Sequence, residues 1–208
     1  MPEQNHSRPT VFVVDDDQAM RTSLKWLIES VGMPVESYAS ANEFLDHYQG
    51  GRPGCLVLDV RMPGMSGLEL QEHLAERDLR IPVVIITGHG DVPMAVRAMK
   101  SGAVDFIEKP FNDEALLDAI RRALAHEEHQ RQQQQECAQV QQRLASLTPR
   151  EHEVMQMVTE GRSNKEIANA LGVSAKTIEA HRARVMEKMQ AGSLAELVRM
   201  ALMAESQA

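Results

Sequence analysis

Apolar residues in the first 125 positions of the chain follow two alternating patterns. Short, largely apolar runs occur at 11–14, 55–58 and 82–86, with weaker ones at 35–38 and 104–107. Between them, apolar residues recur every three or four positions at 18–31, 41–48, 68–76 and 91–101, and from about 112 onward. The second spacing is typical of helices, whereas runs without polar alternation are typical of strands covered on both faces. Strands that alternate with helices predict an α/β fold with a doubly wound sheet of five parallel strands.

The segment at 126–145 differs in composition from the residues before it. It contains no Gly or Pro, and eight of its residues between 130 and 142 are Gln. Gln is a fair helix former, so we expect a helical linker. Apolar residues at 3-4-3 spacing form a stripe at Cys137, Val140, Leu144 and Leu147. This stripe allows two interpretations: a short coiled coil with another chain, or a solvated spacer whose end packs on the next domain.

Residues 146–205 predict an all-α domain of four helices. The expected N-cap residues are Thr148, Asn164, Ser174 and Ser193. The second helix is short, Gly172 supplies a turn, and the third helix is longer, which is the helix-turn-helix arrangement. The last helix is expected to bury Leu194, Leu197, Val198 and Ala201.

Composition narrows the class of protein. The chain has 208 residues, 43% apolar and 25% charged, as in ordinary globular proteins of one or two domains. Two cysteines are too few for a disulfide framework, and 3% aromatic residues are too few for broad stacking platforms. No stretch has the roughly 20 apolar residues of a membrane span. The N-terminal residues lack the apolar core of a signal peptide, so we expect a soluble cytoplasmic protein without membrane contact.

The net charge of −8 is unevenly distributed. Residues 1–125 carry 12 Lys and Arg against 19 Asp and Glu, a net −7, whereas residues 148–208 carry eight of each and are neutral. A neutral segment attached to an acidic body permits nucleic-acid binding at that segment without demonstrating it.

Acidic residues follow two of the predicted strands. Asp15, Asp16 and Asp17 come directly after the first strand, and Asp59 follows the third. Asp17 is expected to cap the next helix, but three acids exceed what one cap needs, and like charges repel unless a cation neutralises them. Functional groups of a parallel sheet collect beyond the carboxyl ends of its strands. We therefore expect Asp15, Asp16 and Asp59 to form an oxygen-ligand site for Mg²⁺ or Mn²⁺.

Two other strand ends supply groups that suit phosphoryl transfer. Lys109 offers a flexible positive donor and Thr87 a hydroxyl. An aspartate can act as nucleophile and form an aspartyl phosphate, while a metal and a lysine neutralise the phosphoryl oxygens. Asp59 is the expected nucleophile because it stands alone on a middle strand, whereas the Asp15–Asp16 pair suits a metal.

Four segments, VFVVDDD, LVLDVRMPGMSGLEL, VVIITGHGD and DFIEKPF, together resemble the receiver domain of bacterial two-component response regulators. The resemblance covers about residues 8–125 and implies the flavodoxin-like (CheY-like) version of the doubly wound fold. It implies that a histidine kinase donates a phosphoryl group to Asp59 within a pocket that includes Asp15. It further implies that Asp16, Asp59 and the backbone carbonyl of Arg61 bind Mg²⁺.

The same resemblance implies a conformational switch. Thr87 and Lys109 are expected to contact the phosphoryl group, and Thr87 to move towards it. Phe106 stands where receivers carry the aromatic residue that rotates inward. Because Phe lacks the hydroxyl of the Tyr found in many receivers, packing alone would set its inward state. The Lys109–Pro110 peptide bond is expected to be cis.

The stretch GHGDVPMAVRAMKSGAVDFIEKPF resembles the FixJ-type subgroup of receivers. In that subgroup, the residues that correspond to 91–107 form a phosphorylation-dependent dimer face. A helix here would carry Val92, Val96 and Met99 on one face. The resemblance also suggests that His89 and Arg61 border the path of the attacking water, and we hypothesise that they tune the lifetime of the phosphate.

The run LTPREHEVMQMVTEGRSNKEIANALGVSAKTIEAHRARVMEKM resembles the helix-turn-helix domain of LuxR-, FixJ- and NarL-type regulators over about residues 146–203. The resemblance implies promoter DNA as a partner and a dimer contact on the last helix, at 193–203. The longer helix would present one face to the major groove, made of Lys176, Glu179, Ala180, Ala183 and Glu187.

Individual residues of this helix suggest specific DNA contacts. Lys176 suits a phosphate or a guanine edge, and Glu179 suits the amino group of cytosine. Because Ala180 and Ala183 offer no side-chain hydrogen bonds, base specificity would rest on methyl contacts and DNA shape. The candidates for backbone phosphates are Asn164, Lys165, Thr177, His181, Arg182 and Arg184.

These features predict a phosphorylation-activated transcription regulator that dimerises, binds promoter DNA and acts with RNA polymerase. By analogy with FixJ-type proteins, we expect it to be an activator. One alternative is a Mg²⁺-dependent phosphohydrolase of the haloacid-dehalogenase type, but that chemistry needs a carboxylate where this chain has Arg61. Another is a ligand-sensing regulator of the autoinducer type, whose sensor half needs an apolar pocket lined by aromatic residues. No enzymatic turnover is expected beyond self-phosphorylation and self-dephosphorylation at Asp59.

Overall fold

A computed structural model of the chain describes residues 8–88 and 90–205. The chain divides into two compact units, unit one (residues 1–130) and unit two (residues 131–208). His89, the residue expected beside the path of the attacking water, lies outside the described residues. None of the helices in the described part of the chain is long and apolar enough to cross a membrane.

Unit one contains the predicted five-stranded parallel sheet, which confirms the α/β fold class. Its strands are β1 (Thr10–Val14), β2 (Val35–Tyr38), β3 (Gly54–Asp59), β4 (Val83–Thr87) and β5 (Asp105–Glu108). Its helices are α1 (Gln18–Ser30), α2 (Ala41–His47), α3 (Gly67–Glu76), α4 (Val92–Lys100) and the first part of α5 (Asp113–Ala145). The strand order is β2-β1-β3-β4-β5, so the direction of winding reverses between β1 and β3. Such a reversal opens a crevice at the carboxyl ends of the two strands, where ligands bind in this class of fold.

The apolar strands bury both of their faces. Phe12, Leu56 and Ile85 pack in a core cluster with residues of α2, α3 and α4. Val57 and Ile86, which point to the opposite face, pack in a second cluster with α1 and α5. Each fully buried large apolar side chain contributes about 1.5–3 kcal/mol relative to an exposed one. This two-sided burial explains why these strands show no alternation of polar and apolar residues.

The apolar face of α4 points to solvent rather than to the core. Val92, Val96 and Met99 are exposed, Val92 over 76% of its surface, and are called here the α4 stripe. The inward side of the helix is narrow, with Ala98 fully buried and Met94 partly buried against the core. A group of exposed apolar side chains on one helix face is a candidate protein–protein contact.

Polar contacts from α3 hold the carboxyl-terminal end of α4. The buried Gln71 donates from Nε2 to the carbonyl oxygens of Ala98 and Ser101, at 3.1 and 3.0 Å. Arg97 donates to both carboxylate oxygens of Glu72, at 2.8 and 3.0 Å. These contacts compensate for the small apolar area that α4 buries.

The backbone of Asp59 lies against the start of α3. A Cβ atom added at Gly67 would lie 2.2 Å from the carbonyl oxygen of Asp59. The amide of Gly67 also donates to the carbonyl of Val60 at 3.0 Å. Only a glycine allows this approach, so the first residue of α3 helps to fix the end of β3.

Unit two contains the predicted helical domain. Its helices are the end of α5, α6 (Pro149–Thr159), α7 (Asn164–Leu171), α8 (Ala175–Met189) and α9 (Leu194–Glu205). Gly172 has the left-handed conformation, with φ +66°, and forms the turn between α7 and α8. The core is formed by apolar residues of all these helices, including Val154, Ile167, Ile178 and Leu197.

Two expectations about helix ends in unit two are wrong. The N-cap of α7 is Ser163 rather than Asn164, because Ser163 forms a reciprocal capping box with Glu166. Leu194 is 45% exposed rather than buried, because α9 begins at that residue and its first turn lies at the margin of the core. Met200, which lies two turns further along the helix, is buried in the core.

The linker stripe packs within unit two. Cys137 and Val140 are buried, and Leu144 and Leu147 are partly buried against the core of this unit. The Cys137 thiol lies 3.7 Å from the carbonyl oxygen of Met203 in α9. These contacts favour the spacer whose end packs on the next domain over the short coiled coil.

An ion pair between the buried Glu151 and the half-buried Lys188 connects α6 to α8. The Glu151 side chain accepts a hydrogen bond from Lys188 Nζ at 2.6 Å and one from the Thr148 amide at 2.9 Å. Lys188 also donates to the carbonyl of Ser146 at 3.1 Å. The bonds from Lys188 and Thr148 lower the pKa of Glu151 to about 2, despite its burial. The carboxylate therefore fastens the linker end and the first helix of the domain to α8.

Gly67→Ala is expected to destabilise unit one by about 1–3 kcal/mol, because the added methyl group forces the Asp59 backbone to move. Urea unfolding followed by the fluorescence of Trp26, the chain's single tryptophan, reports on unit one because this residue lies in α1. Gly88→Ala is a matched control, since its Cβ would meet no described atom within 4 Å. Equal unfolding midpoints for the two variants would contradict the close approach at Gly67.

Glu151→Gln is expected to destabilise unit two by about 1–3 kcal/mol at pH 7, because Lys188 loses its charged partner. The pKa of Glu151 is lower in the folded state than its ordinary value of 4.5, so the ion pair stabilises the fold above pH 4.5 and is lost as the pH falls towards about 2. Hydrogen exchange of α6 and α8 amides checks both effects. The difference between wild type and variant should shrink on acidification, and Glu153→Gln, at an exposed position, should exchange like wild type.

Candidate functional site

The ammonium group of Lys109 joins two carboxylates at the carboxyl edge of the sheet. Its Nζ lies 2.8 Å from Asp15 Oδ2 and 2.7 Å from Asp59 Oδ1. Asp15 follows β1, Asp59 ends β3 and Lys109 follows β5, so only the tertiary fold brings the three together. Asp15 is 1% exposed and Asp59 5% exposed. Together with Asp16, these residues are called here the acidic pocket.

Backbone amides hold the other oxygen of each buried carboxylate. The amide of Asp17 donates to Asp15 Oδ1 at 2.9 Å, and the amide of Arg61 donates to Asp59 Oδ2 at 2.8 Å. Asp17 itself caps α1, as expected, by accepting from the amide of Ala19. Each buried carboxylate is therefore oriented by its own backbone amide and by the Lys109 ammonium that the two share.

Burial and charge act against each other in this pocket. Burial raises the pKa of Asp59, and the nearby Asp15 raises it further, while the Lys109 ammonium and the Arg61 amide oppose the rise. Burial acts to lower the pKa of Lys109, but its bonds to Asp15 and Asp59 outweigh burial and leave that pKa raised. Lys109 therefore remains a cation, as its contacts with two acids require.

Asp16 differs from its two acidic neighbours because its side chain is exposed. No group of three or more Asp, Glu, His and Cys side chains within residues 8–88 and 90–205 is arranged to hold a metal ion. The donor set nevertheless suits Mg²⁺, which is usually bound by one or two carboxylates and keeps several water molecules. Asp16 and Asp59 carry hard carboxylate oxygens of that kind, and the backbone of Arg61 lies beside Asp59.

Two further predicted residues lie on the strands beside this pocket. Thr87, the last residue of β4, is fully buried, and Phe106 in β5 is partly buried against the core. Both lie against Gly90, where an added Cβ would be 3.0 Å from the Phe106 ring and 3.5 Å from the Thr87 methyl group. The Lys109–Pro110 peptide bond is cis, as expected.

Sequence reasoning missed one residue of the pocket. The Arg21 guanidinium donates from Nη1 to the carbonyl oxygens of Asp15 and Asp16, at 2.7 and 2.9 Å. The only signal in the sequence is a basic residue one turn into the helix that follows the acidic run. That signal does not distinguish a backbone contact from a solvated side chain.

In unit two, α8 presents the predicted face to solvent. Its residues Lys176, Glu179, Ala180, Ala183 and Glu187 are all exposed. Ile178 and Val185, on the opposite face, are buried in the core. The helix is therefore oriented within its own unit so that the candidate base-reading residues are accessible.

The candidate phosphate contacts fall into two groups. Lys165, Thr177 and Arg184 are exposed, whereas Asn164, His181 and Arg182 are half-buried. Arg182 Nη1 donates to Asn164 Oδ1 at 2.8 Å, so these two side chains connect the start of α7 to α8. The structure thus places a hydrogen bond between two residues that the sequence suggested only as separate contacts.

Two family models match the chain over these units. The model described as "Response regulator receiver domain" matches residues 11–121. The model described as "Bacterial regulatory proteins, luxR family" matches residues 145–201. The first contains the acidic pocket and the second contains α7 and α8.

Several known proteins are similar to the chain over most of their length. The chain is 50% identical to "Transcriptional regulatory protein FixJ" of Azorhizobium caulinodans, covering 93% of this chain and 92% of that protein. It is 44% identical to "Response regulator protein TodT" of Pseudomonas putida, covering 91% and 83%. The solved structure of the response regulator StyR is 48% identical, with a TM-score of 0.85 over 94% of this chain and 98% of that one.

A receiver domain implies a kinase as partner, and a LuxR-type domain implies DNA. These matches favour the phosphorylation-activated regulator over the phosphohydrolase and the ligand-sensing regulator. The chain belongs to the two-component response regulators that join a receiver to a LuxR-type DNA-binding domain, and it functions in transcriptional regulation.

Proposed function

We propose that Asp59 is the phosphoacceptor of this regulator. The observation that carries the proposal is the Lys109 ammonium, which joins two buried carboxylates from separate strands. Asp15 is the more deeply buried of the two, so we assign it to the positioning of Lys109. Asp59 ends the middle strand β3 and has the Arg61 amide beside it, so we assign it the nucleophilic role.

Transfer of the phosphoryl group to Asp59 is a displacement at phosphorus. A carboxylate oxygen of Asp59 forms a bond to phosphorus, the P–N bond of a phosphohistidine on the kinase breaks, and its electron pair leaves with the histidine nitrogen. Lys109 neutralises charge on the phosphoryl oxygens, and the Thr87 hydroxyl donates to one of them. The chemistry of the chain is limited to phosphorylation and dephosphorylation of its own Asp59.

Asp16, Asp59 and the Arg61 backbone carbonyl are the ligands that we propose for Mg²⁺, or Mn²⁺ in its place. Asp15 completes the acidic surroundings through its contact with Lys109. When bound, the cation supplies positive charge that stabilises the phosphoryl oxygens. The exposed Asp16 supports this assignment, since a ligand of a hydrated cation must be open to solvent.

Thr87 and Phe106 form the proposed switch. A phosphoryl group adds negative charge and strong acceptor oxygens, which attract the Thr87 hydroxyl. Because the Thr87 methyl group and the Phe106 ring both lie against Gly90, movement of one changes the space open to the other. The ring has no hydroxyl, so packing alone sets its position.

The proposed output of the switch is a homodimer formed through residues 91–107. The α4 stripe lies in this segment and supplies the apolar surface that such a contact needs. The domain bounds that we propose are 8–125 for the receiver, 126–145 for the linker and 146–205 for the DNA-binding domain. RNA polymerase is the further partner of the DNA-bound dimer, and activation is the proposed outcome.

The exposed face of α8 is the proposed reader of the DNA. Lys176 and Glu179 contact base edges or a phosphate, while Ala180 and Ala183 contact methyl groups. The proposed phosphate contacts are Asn164, Lys165, Thr177, His181, Arg182 and Arg184. A neutral domain binds one half-site weakly, so joining two copies raises affinity through effective concentration.

Asp59→Asn is expected to abolish dimerisation driven by an acyl phosphate such as acetyl phosphate, because the amide is not a nucleophile at phosphorus. Sedimentation velocity of the full chain with Mg²⁺, with and without acetyl phosphate, measures the change. Asp46→Asn, at an exposed position in α2, is the matched control and should dimerise like wild type. An acetyl-phosphate-induced dimer in the Asp59→Asn variant would refute the assignment of Asp59.

Val96→Glu is expected to separate phosphorylation from dimerisation. The variant should incorporate the phosphoryl group at the wild-type rate, because Val96 is exposed and lies outside the acidic pocket. Its dimer should weaken at least about tenfold, because a charge is buried without a partner. Intact-mass analysis and sedimentation velocity on the same sample measure the two effects. Dimerisation of Val96→Glu equal to that of wild type would contradict a dimer contact through the α4 stripe.

Glu179→Ala is expected to relax discrimination at one base pair by about 1–3 kcal/mol, because a direct contact to a base edge is lost. Competition binding with DNA sites varied at single positions measures the change in preference. Glu153→Ala removes the same charge from an exposed position of α6, outside the candidate reading face, and should keep the wild-type preference. Identical base preferences in all three proteins would contradict a base-reading role for Glu179.

A further inference from the structure

Arg21 is the cation nearest in sequence to the acidic run, yet it bonds to backbone rather than to a carboxylate. A single nitrogen, Nη1, donates to the carbonyl oxygens of Asp15 and Asp16 at 2.7 and 2.9 Å. The side chain starts from the first turn of α1, whose N-cap is Asp17. One guanidinium therefore ties α1 to the turn that carries both acids.

Different contacts hold Asp15 and Asp16 in the turn after β1. The Asp15 side chain is held by the Asp17 amide and by Lys109. Asp16 is exposed, so the direction of its carboxylate depends on the backbone that carries it. The bond from Arg21 to the Asp16 carbonyl fixes that backbone directly.

We propose that Arg21 is a positioning residue that orders the Asp15–Asp16 backbone and so sets the affinity of the acidic pocket for a divalent cation. This inference rests on the metal site given under the proposed function. Groups that orient metal ligands without touching the metal typically change its affinity about 10–100-fold.

Electrostatics predicts the opposite effect for the same residue. Arg21 carries a positive charge close to a site for a cation, so a purely electrostatic role predicts tighter metal binding when the charge is removed. A positioning role predicts weaker binding, because the Asp16 carboxylate becomes less ordered. The sign of the change therefore distinguishes the two roles.

The test measures Mn²⁺ binding to the full chain by electron paramagnetic resonance of the free ion, without any phosphodonor. Arg21→Gln is expected to weaken binding about tenfold, in line with the loss of an orienting group. Arg21→Lys, which keeps the charge and one donor nitrogen, is expected to recover part of the loss. Lys25→Gln removes the same charge from an exposed position of α1 and is expected to bind as wild type or more tightly.

Hydrogen exchange of the metal-free proteins supplies a second readout. The amide of Asp17 donates to Asp15 Oδ1, so its exchange should accelerate in Arg21→Gln and not in Lys25→Gln. Wild-type affinity or tighter binding in Arg21→Gln would overturn the inference. If Arg21→Gln does not fold, the test is made on Arg21→Lys. An Mn²⁺ affinity of Arg21→Lys equal to that of Lys25→Gln would also overturn the inference.

The two proposals fail in distinguishable ways. Absence of Mn²⁺ binding by the wild-type chain would overturn the metal site and the role of Arg21 together. Wild-type binding with unchanged affinity and unchanged Asp17 exchange in the Arg21 variants would overturn the role of Arg21 alone.

Discussion

One ammonium group shared by two buried carboxylates is the interaction on which the receiver depends. Lys109, Asp15 and Asp59 come from the ends of three different strands, so the contacts exist only when the sheet is in register. Removing such ions from water costs several kcal/mol for each ion, and only close pairing offsets the cost. A pocket balanced in this way is sensitive to added charge, and this sensitivity is the physical basis of its proposed response to a phosphoryl group.

The backbone around the pocket is fixed by a close packing contact and by hydrogen bonds from a backbone amide and a guanidinium. Gly67 lets α3 approach the Asp59 carbonyl, and the Arg61 amide orients the Asp59 carboxylate. Arg21 bonds to the carbonyls of the turn after β1. Rigid surroundings of this kind matter because phosphoryl transfer depends mainly on position and electrostatics. The α4 stripe, the proposed dimer contact, lies on a helix that buries little apolar area.

A few polar contacts between helices also fix the structure of the DNA-binding unit. Glu151 and Lys188 fasten α6 to α8, and Arg182 bonds to Asn164 at the start of α7. These bonds fix the helix-turn-helix while the candidate reading face of α8 stays exposed. Because residues 148–208 carry no net charge, we expect weak binding to one half-site, and the proposed pairing of two copies would raise the affinity for DNA.

The sequence by itself determined the order and type of the secondary-structure elements, since apolar periodicity and capping residues act locally. It also determined the family, because the four receiver segments and the helix-turn-helix run are specific as a set. Only the tertiary structure decided which groups pair. The bridge at Lys109, the two carbonyls held by Arg21 and the bond between Arg182 and Asn164 depend on distances between separate elements. Periodicity placed Val92, Val96 and Met99 on one face but did not say that this face meets solvent, because burial depends on what the rest of the chain covers.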